Sequence, residues 1–237
     1  MNSPTAHPKS TTVASPTDLA GFIEHTLLKA DASLKDIKRL CAEAREHSFH
    51  AVCVNGSWVS QARHFLGGSE VKVATTVGFP LGAADSDSKR FETEAAIDNG
   101  AQEIDAVLNI GRLKDGDDQY VLRELRDIVE AADERPVKVI LETCLLTREE
   151  KIRACQLVID SGAQFVKTST GFSHGGATIE DVMLLREIVG DQFGVKAAGG
   201  IRDTPTALAM IAARASRLGT SSGVAIVRSL AGAMRAP

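Results

Sequence analysis

The sequence predicts an α/β fold, a parallel (β/α)8 TIM barrel, in a single domain over residues 17–237. Short runs rich in Val, Ile, Thr and Phe alternate with longer amphipathic runs at a spacing of about 30 residues, which favours parallel strands with right-handed crossovers. The length of 237 residues is close to the roughly 250 that such a barrel needs. No G-x-G-x-x-G turn follows the first run, although the competing doubly wound sheet usually has one there.

The chain opens with a polar segment, residues 1–16, whose Ser, Thr and Pro content predicts a short disordered N-terminal tail. Eight strand candidates follow, each bounded by Gly, Pro or polar residues. They span residues 22–28, 51–55, 72–79, 103–109, 137–143, 165–170, 194–200 and 217–221.

The segments between these candidates carry helix signals. Residues 33–47 begin with a serine suited to an N-cap and then repeat apolar residues at helical spacing. Further helices are predicted at 120–133, 148–162 and 179–190, and the last two end near glycines. Pro205 indicates the start of another helix, because a proline in the first turn removes no intrahelical hydrogen bond.

The composition argues against several kinds of partner. The net charge of −4 gives no bulk attraction for nucleic acid or an anionic membrane, and no apolar run approaches the roughly 20 residues that span a bilayer. The four cysteines form no C-x-x-C pair, and the six histidines show no H-x-H or H-E-x-x-H spacing. We therefore expect a cytoplasmic protein with reduced thiols, no metal and no cofactor.

Lys167 is a charged residue in the middle of a strand candidate, F-V-K-T-S-T. If it faces the barrel interior, partial desolvation favours its neutral amine, and a neutral amine can attack a carbonyl to form an imine. On this strand alone, a lysine that reaches solvent at the strand end is an equally good interpretation.

Two further charges change that balance. Lys196 lies in the next strand candidate, about 4.8 Å away in a parallel sheet, where its charge would disfavour a second ammonium group. Asp105 lies among apolar residues of an earlier strand and could relay protons between the lysines, although a plain buried salt bridge is the alternative. Lys138 could also face inward, with Glu142 on the same face of its strand, and both would then lie around the same site.

Glycine-rich turns follow three consecutive late strands, and backbone N–H groups in such turns attract anions. They contain Gly171, then Gly199 and Gly200, and finally Ser221 and Ser222 at a predicted helix start. In such barrels, the phosphate-binding site is usually formed by the loops that follow the last two strands. The sequence therefore predicts a phosphate subsite at these turns.

Taken together, the segments E-H-T-L-L, T-T-V-G-F-P-L-G, G-A-Q-E-I-D-A-V-L-N-I-G, F-V-K-T-S-T-G-F and V-K-A-A-G-G-I-R resemble the deoxyribose-phosphate aldolase family from about residue 18 to 230. The resemblance implies reversible cleavage of 2-deoxy-D-ribose 5-phosphate to acetaldehyde and D-glyceraldehyde 3-phosphate. It implies that Lys167 forms the Schiff base, that Lys196 perturbs it, and that Asp105 relays protons. It also implies a homodimer.

This sequence departs from the family pattern at two points near the site. Glu24 stands where the family often has aspartate, and we expect it beside Lys138 around the catalytic residues. Phe172 stands where some members have lysine, which bears on phosphate preference. Two alternatives stay open: a Schiff-base barrel aldolase that acts on a different sugar phosphate, and a non-catalytic barrel that binds phosphorylated metabolites.

Overall fold

A computed structural model describes Val13 and residues 15–235. Residues 1–12 and 14 of the predicted tail lie outside the described residues. A short helix, α1, begins at Pro16, inside the segment that the sequence assigns to the tail, and the Ser15 side chain accepts a hydrogen bond from the N–H of Asp18.

Eight parallel strands close into a barrel in chain order, which confirms the predicted fold class. All eight strands end one to three residues before the predicted limits, because the last residues leave the ladder to form the loops above the barrel. The strands are β1 Ile23–Leu27, β2 Ala51–Val54, β3 Lys72–Val77, β4 Glu103–Val107, β5 Val137–Ile140, β6 Phe165–Lys167, β7 Gly194–Ala198 and β8 Arg217–Thr220.

Helices connect the strands and surround the barrel. All five predicted helices are present within a few residues of their expected limits. The α-helices are α1 Pro16–Ala20, α2 Leu34–Glu46, α3 Val59–Phe65, α4 Ser86–Asp98, α5 Ile110–Lys114, α6 Asp118–Ala131, α7 Arg148–Ser161, α8 Ile179–Val189, α9 Thr204–Ala212 and α10 Gly223–Arg235. No helix in the described part of the chain is both long and apolar enough to cross a membrane.

The two faces of the strands have different chemistry. Alternate residues such as Val52, Ile104 and Val139 face outward and pack with the helices in one apolar core. The residues between them face the barrel axis, where several are charged and fully buried. Gly194 is required here, because a Cβ at that position would lie 2.0 Å from the ring of Phe165. The fold therefore places polar chemistry inside the barrel.

Candidate active site

Six charged side chains meet inside the barrel, and we call them the barrel charge cluster. Its members are Glu24, Glu103, Asp105, Lys138, Lys167 and Lys196, from strands β1, β4, β5, β6 and β7. The register pairs Lys167 with Lys196 and Asp105 with Lys138 across neighbouring strands. The cluster thus brings together five residues for which the sequence predicts a catalytic or supporting role, and it adds Glu103. The five are Glu24, Asp105, Lys138, Lys167 and Lys196.

Asp105 is the centre of this cluster. Its Oδ2 lies 2.7 Å from the Nζ of Lys167 and 2.6 Å from the Nζ of Lys196, while its Oδ1 lies 2.9 Å from the Nζ of Lys138. Burial alone would raise the pKa of Asp105, but Lys138, Lys167 and Lys196 outweigh it and hold that pKa well below the usual range. Asp105 is therefore an ionised carboxylate that offsets part of the predicted repulsion between the lysines.

Lys196 is held by two carboxylates and is fully buried. Its ammonium group contacts both Asp105 and Glu24. Burial would lower the pKa of Lys196, but Asp105 and Glu24 outweigh it, so the pKa is raised above its ordinary value of 10.5. Gly219 in β8 leaves room for this side chain, since a Cβ there would lie 3.2 Å from the Cε of Lys196. Lys196 therefore stays protonated and can donate a proton.

Lys138 is held even more firmly. Its Nζ lies 2.6 Å from Glu103, 2.9 Å from Asp105 and 3.6 Å from Glu24. Burial opposes its charge, but these three carboxylates raise the pKa of Lys138 well above the ordinary value. Lys138 therefore supplies a fixed positive charge behind Asp105.

Lys167 differs from both of the other lysines. Its ion-pair partner among the described residues is Asp105, and its side chain lines a cavity of about 290 Å³ at the carboxyl end of the barrel. Lys138 and Lys196 are 0% exposed, whereas Lys167 is 3% exposed and lies at the cavity floor. An amine in this position can reach a bound carbonyl that the other two lysines cannot.

The predicted phosphate turns form another wall of this cavity. Gly171, Gly199, Gly200 and Ser221 line it, and the first three have positive φ angles of 84°, 89° and 81°. Ser222 lies next to this lining and directly before α10, so the positive end of that helix dipole is close to the cavity. These turns can hold an anion across the cavity from Lys167.

Sequence reasoning did not identify several residues at the site. Glu103 was not singled out, because a glutamate at the first position of a strand has the pattern of an ordinary surface residue. Glu142, which the sequence predicts on the same inward face as Lys138, lies outside the barrel charge cluster. It accepts hydrogen bonds from the backbone N–H and hydroxyl of Thr170 and so supports the turn that contains Gly171. Exposed Lys29 and Arg202 lie at the cavity rim, and the G-G-I-R motif was the available signal for Arg202.

Other potentially reactive groups lie apart from this cavity. His25 faces away from the barrel axis, and its Nε2 lies 2.8 Å from Glu43. Burial raises the pKa of the Cys53 thiol to about 11, although this side chain is close to the cluster. Among the described residues, no group of three or more His, Cys, Asp or Glu side chains could hold a metal ion.

Comparisons with known proteins agree with this geometry. The model of the DeoC/LacD aldolase family matches residues 12–229. The deoxyribose-phosphate aldolase of Alkaliphilus oremlandii is 57% identical over 211 residues, which are 89% of this chain and 95% of the relative. That of Streptococcus uberis is 59% identical over 206 residues, covering 87% and 94% of the two chains.

A solved structure has the same fold. The tetrameric deoxyribose phosphate aldolase of Aeropyrum pernix superimposes with a TM-score of 0.87 at 32% identity, over 93% of this chain and 94% of that one. The matched regions include all eight strands and every member of the barrel charge cluster, since the family match runs from residue 12 to residue 229. This chain belongs to the DeoC/LacD family of aldolases.

Proposed function

We propose that this protein is a class I aldolase that reversibly cleaves 2-deoxy-D-ribose 5-phosphate to acetaldehyde and D-glyceraldehyde 3-phosphate through a Schiff base on Lys167. The observation that carries the proposal is the position of Lys167, which lines the cavity while sharing one carboxylate oxygen of Asp105 with Lys196. The names of the relatives, deoxyribose-phosphate aldolase, support the choice of substrate.

The first step joins enzyme and substrate. The neutral amine of Lys167 attacks the C1 aldehyde of the sugar, a C–N bond forms, and water leaves to give a protonated imine. Lys196 is the proton donor nearest to this reaction, because it shares the Oδ2 atom of Asp105 with Lys167. Its raised pKa keeps a proton available for the departing hydroxyl group.

The second step breaks the C2–C3 bond. The 3-hydroxyl proton moves to a base, the C3 carbonyl forms, and the electron pair of the broken bond moves toward the imine nitrogen to leave an enamine. D-glyceraldehyde 3-phosphate leaves. Protonation of the enamine carbon, relayed through Asp105, Lys196 and water, gives the acetaldehyde imine, and hydrolysis frees Lys167. The protonated imine accepts the electrons, so this mechanism needs no metal and no cofactor.

The phosphate group would bind at the opposite wall of the cavity. Gly171, Gly199 and Gly200 allow a close approach of backbone N–H groups, and Ser221 and Ser222 add hydroxyl groups at the start of α10. Lys29 and Arg202 at the rim add positive charge that attracts the anion. This arrangement would place the reactive aldehyde near Lys167 and the phosphate near solvent.

A different sugar phosphate is the second candidate substrate, because the exposed ring of Phe172 lines the cavity beside Gly171. A substrate panel separates the candidates: 2-deoxy-D-ribose 5-phosphate, D-ribose 5-phosphate and D-fructose 1,6-bisphosphate, each assayed for aldehyde release with and without a chelator. We expect the highest kcat/KM with the deoxy sugar, unchanged by the chelator. A higher value for another sugar would identify that sugar as the substrate, and loss of activity with the chelator would contradict the mechanism.

We also propose that the protein is a homodimer in solution and acts in the degradation of deoxyribose phosphate. The relative from Aeropyrum pernix is described as a tetramer, so the measurement must distinguish two chains from four. Light scattering on the eluting protein should give twice the 25.1 kDa mass of one chain. The mass of one chain or of four chains would contradict the dimer.

A further inference from the structure

A second cavity opens at the amino-terminal end of the barrel, opposite the site proposed for catalysis. Its volume is about 620 Å³, within the usual range for small-molecule sites. Its lining comes largely from residues at or just before the first positions of strands. These include His50, Lys72, Glu103, Phe165 and Arg217, with Arg63 from α3 and Arg135 from the turn before β5.

Four positively charged side chains line this cavity, and most of them have no carboxylate partner among the described residues. Among the described residues, Arg63, Lys72 and Arg217 form no ion pair with any carboxylate, and Arg135 pairs with Asp133. The protein as a whole has a net charge of −4, so the concentration of cations here runs against the overall charge. Grouped cations repel one another, and an anion bound between them would relieve that repulsion.

The carboxylate in the cavity lining does not supply this compensation. Glu103 is buried, and its two oxygens lie 3.0 Å from His50 and 2.6 Å from Lys138. Lys138 outweighs the effect of burial and, with His50, holds the pKa of Glu103 below its ordinary value. The negative charge of Glu103 is thus already shared with the barrel charge cluster, and the cations of the cavity remain available.

Helix ends do not account for all of these cations. The carboxyl end of a helix carries partial negative charge and favours a cation within its last turn, which is where Arg63 lies in α3. Lys72 and Arg217 lie instead at the first positions of β3 and β8. The guanidinium of Arg217 lies 5.8 Å from the ring centroid of Phe165, and its Nε atom is buried without a hydrogen-bond partner in the described structure.

The donors suit phosphate. A guanidinium group can donate two parallel hydrogen bonds to one phosphate, and a lysine adds a point charge. Arg63 already donates to the side chain of Gln102 and Arg217 to the backbone of Ser216, so both side chains are held in place. Apolar residues such as Ile97 and Pro136 complete the wall and reduce screening by water.

We propose that the amino-terminal cavity is a binding site for a small molecule with two or more phosphate groups, with Lys72, Arg63 and Arg217 as its ligands. The site is separate from the cavity that contains Lys167, because its lining lies at the opposite ends of the strands. A bound ligand there would contact His50, which is linked through Glu103 to Lys138 of the barrel charge cluster.

Isothermal titration calorimetry with inorganic pyrophosphate tests the proposal directly. We expect Lys72→Ala to weaken pyrophosphate binding at this cavity about tenfold, the loss of one charge-assisted contact, and Lys72→Glu to abolish it there. Any binding event at the phosphate turns of the other cavity should persist in Lys72→Glu and be lost in Arg202→Glu. Lys38→Ala and Lys38→Glu are the matched controls, since Lys38 is an exposed lysine of α2 outside this cavity with the same change in charge. Both controls should bind as the unmodified protein does.

Several outcomes would overturn the proposal. They are undiminished pyrophosphate binding in Lys72→Glu, an equal loss in the Lys38 controls, or no binding by the unmodified protein. Tricarballylate, a polycarboxylate, and orthophosphate serve as comparison ligands, and tighter binding of either than of pyrophosphate would contradict a site for linked phosphates. If Lys72→Glu proves unstable, Arg217→Gln provides a second test with the same expectation. Because calorimetry does not depend on turnover, the result is independent of the proposed aldolase activity.

Discussion

Two buried lysine sites in this protein have opposite electrostatic outcomes. Lys89 of α4 lies outside the barrel, with its Nζ 2.7 Å from Glu124 of α6 and 2.9 Å from the carbonyl of Val107. Burial dominates this pair: it lowers the pKa of Lys89 and raises the pKa of Glu124, although each partner opposes the shift. The attraction of Glu124, with a smaller contribution from Glu92, does not compensate for the loss of water around Lys89.

The barrel charge cluster shows the reverse. Lys138 and Lys196 are also fully buried, yet the pKa of each is raised, and the pKa of Asp105 is lowered. Each of these groups contacts at least two opposite charges. Close contact with two or more carboxylates therefore accompanies the raised pKa of Lys138 and Lys196, whereas Lys89, with one close carboxylate, has a lowered pKa. Within the cluster, Lys167 has one carboxylate partner and an open cavity beside it, which suits a nucleophile.

The largest expected difference between the two sites is in catalysis. Lys167→Met should lower kcat/KM by about 10³-fold or more, because Lys29, the other lysine that lines the cavity in the described part of the chain, is exposed at its rim. Lys89→Met removes a lysine of equal burial and should leave kcat/KM within about threefold, since it touches no reacting atom. Steady-state kinetics with circular dichroism to verify folding measures both. Equal losses of kcat/KM in Lys167→Met and Lys89→Met would contradict a specific catalytic role for Lys167.

The next largest effect is in stability at the Lys89–Glu124 pair. Glu124→Leu leaves the buried Lys89 without its carboxylate and should lower the free energy of unfolding by about 3 kcal/mol. Urea denaturation at pH 7 measures this loss. A change below about 0.5 kcal/mol, the size usual for an exposed substitution, would show that the pair does not behave as a buried one.

The pH dependence of stability should have opposite signs at the two sites. Because folding lowers the pKa of Glu103, this carboxylate stabilises the folded protein at pH values above 4.5, its ordinary pKa. That stabilisation is lost as the pH falls below 4.5. The stability difference between the unmodified protein and Glu103→Gln should therefore shrink between pH 5 and about pH 3. Because the pKa of Glu124 is raised, the corresponding difference for Glu124→Gln should shrink as pH rises above 4.5.

Urea denaturation across this pH range measures the stability difference for each of the two variants. If both differences change in the same direction with pH, the proposed contrast between the Lys89–Glu124 pair and the barrel charge cluster is wrong. The two substitutions are matched, since each replaces a buried glutamate by its neutral isostere.

The smallest effect is expected when both members of the pair are replaced. Lys89→Met with Glu124→Leu substitutes apolar side chains for both buried charges and should bring stability back to within about 1 kcal/mol of the unmodified protein. Thermal and urea denaturation test this. A double variant as unstable as Glu124→Leu alone would show that the pair contributes a specific structural contact.

The sequence predicted the barrel and the catalytic lysines for the same reason. A strand alternates its faces, so a charge at an inward position such as Lys167 stands out against Phe165 and Val166. Helix α4 was not predicted, because its buried face consists of Lys89, Thr93 and Ala96 and has no apolar stripe. The pair it forms with Glu124 therefore had no recognisable signal, although both residues are as buried as the cluster.

Contacts between distant parts of the chain were also beyond the sequence pattern. Strand alternation indicates that Glu24 and Asp105 face inward, but it does not show that both meet Lys196. The amino-terminal cavity was missed for a related reason. Lys72 and Arg217 lie 145 positions apart in the sequence (217 minus 72), and only the closed barrel brings them to one opening.

The central claim is that Lys167, and neither of its two lysine neighbours, forms the imine. Incubation with acetaldehyde and sodium borohydride, followed by peptide mass mapping, measures this directly. We expect a single two-carbon adduct on the peptide that contains Lys167, with Lys138, Lys196 and Lys89 unmodified. An adduct on Lys196 or Lys138, or full aldolase activity in Lys167→Met with no adduct at all, would contradict it.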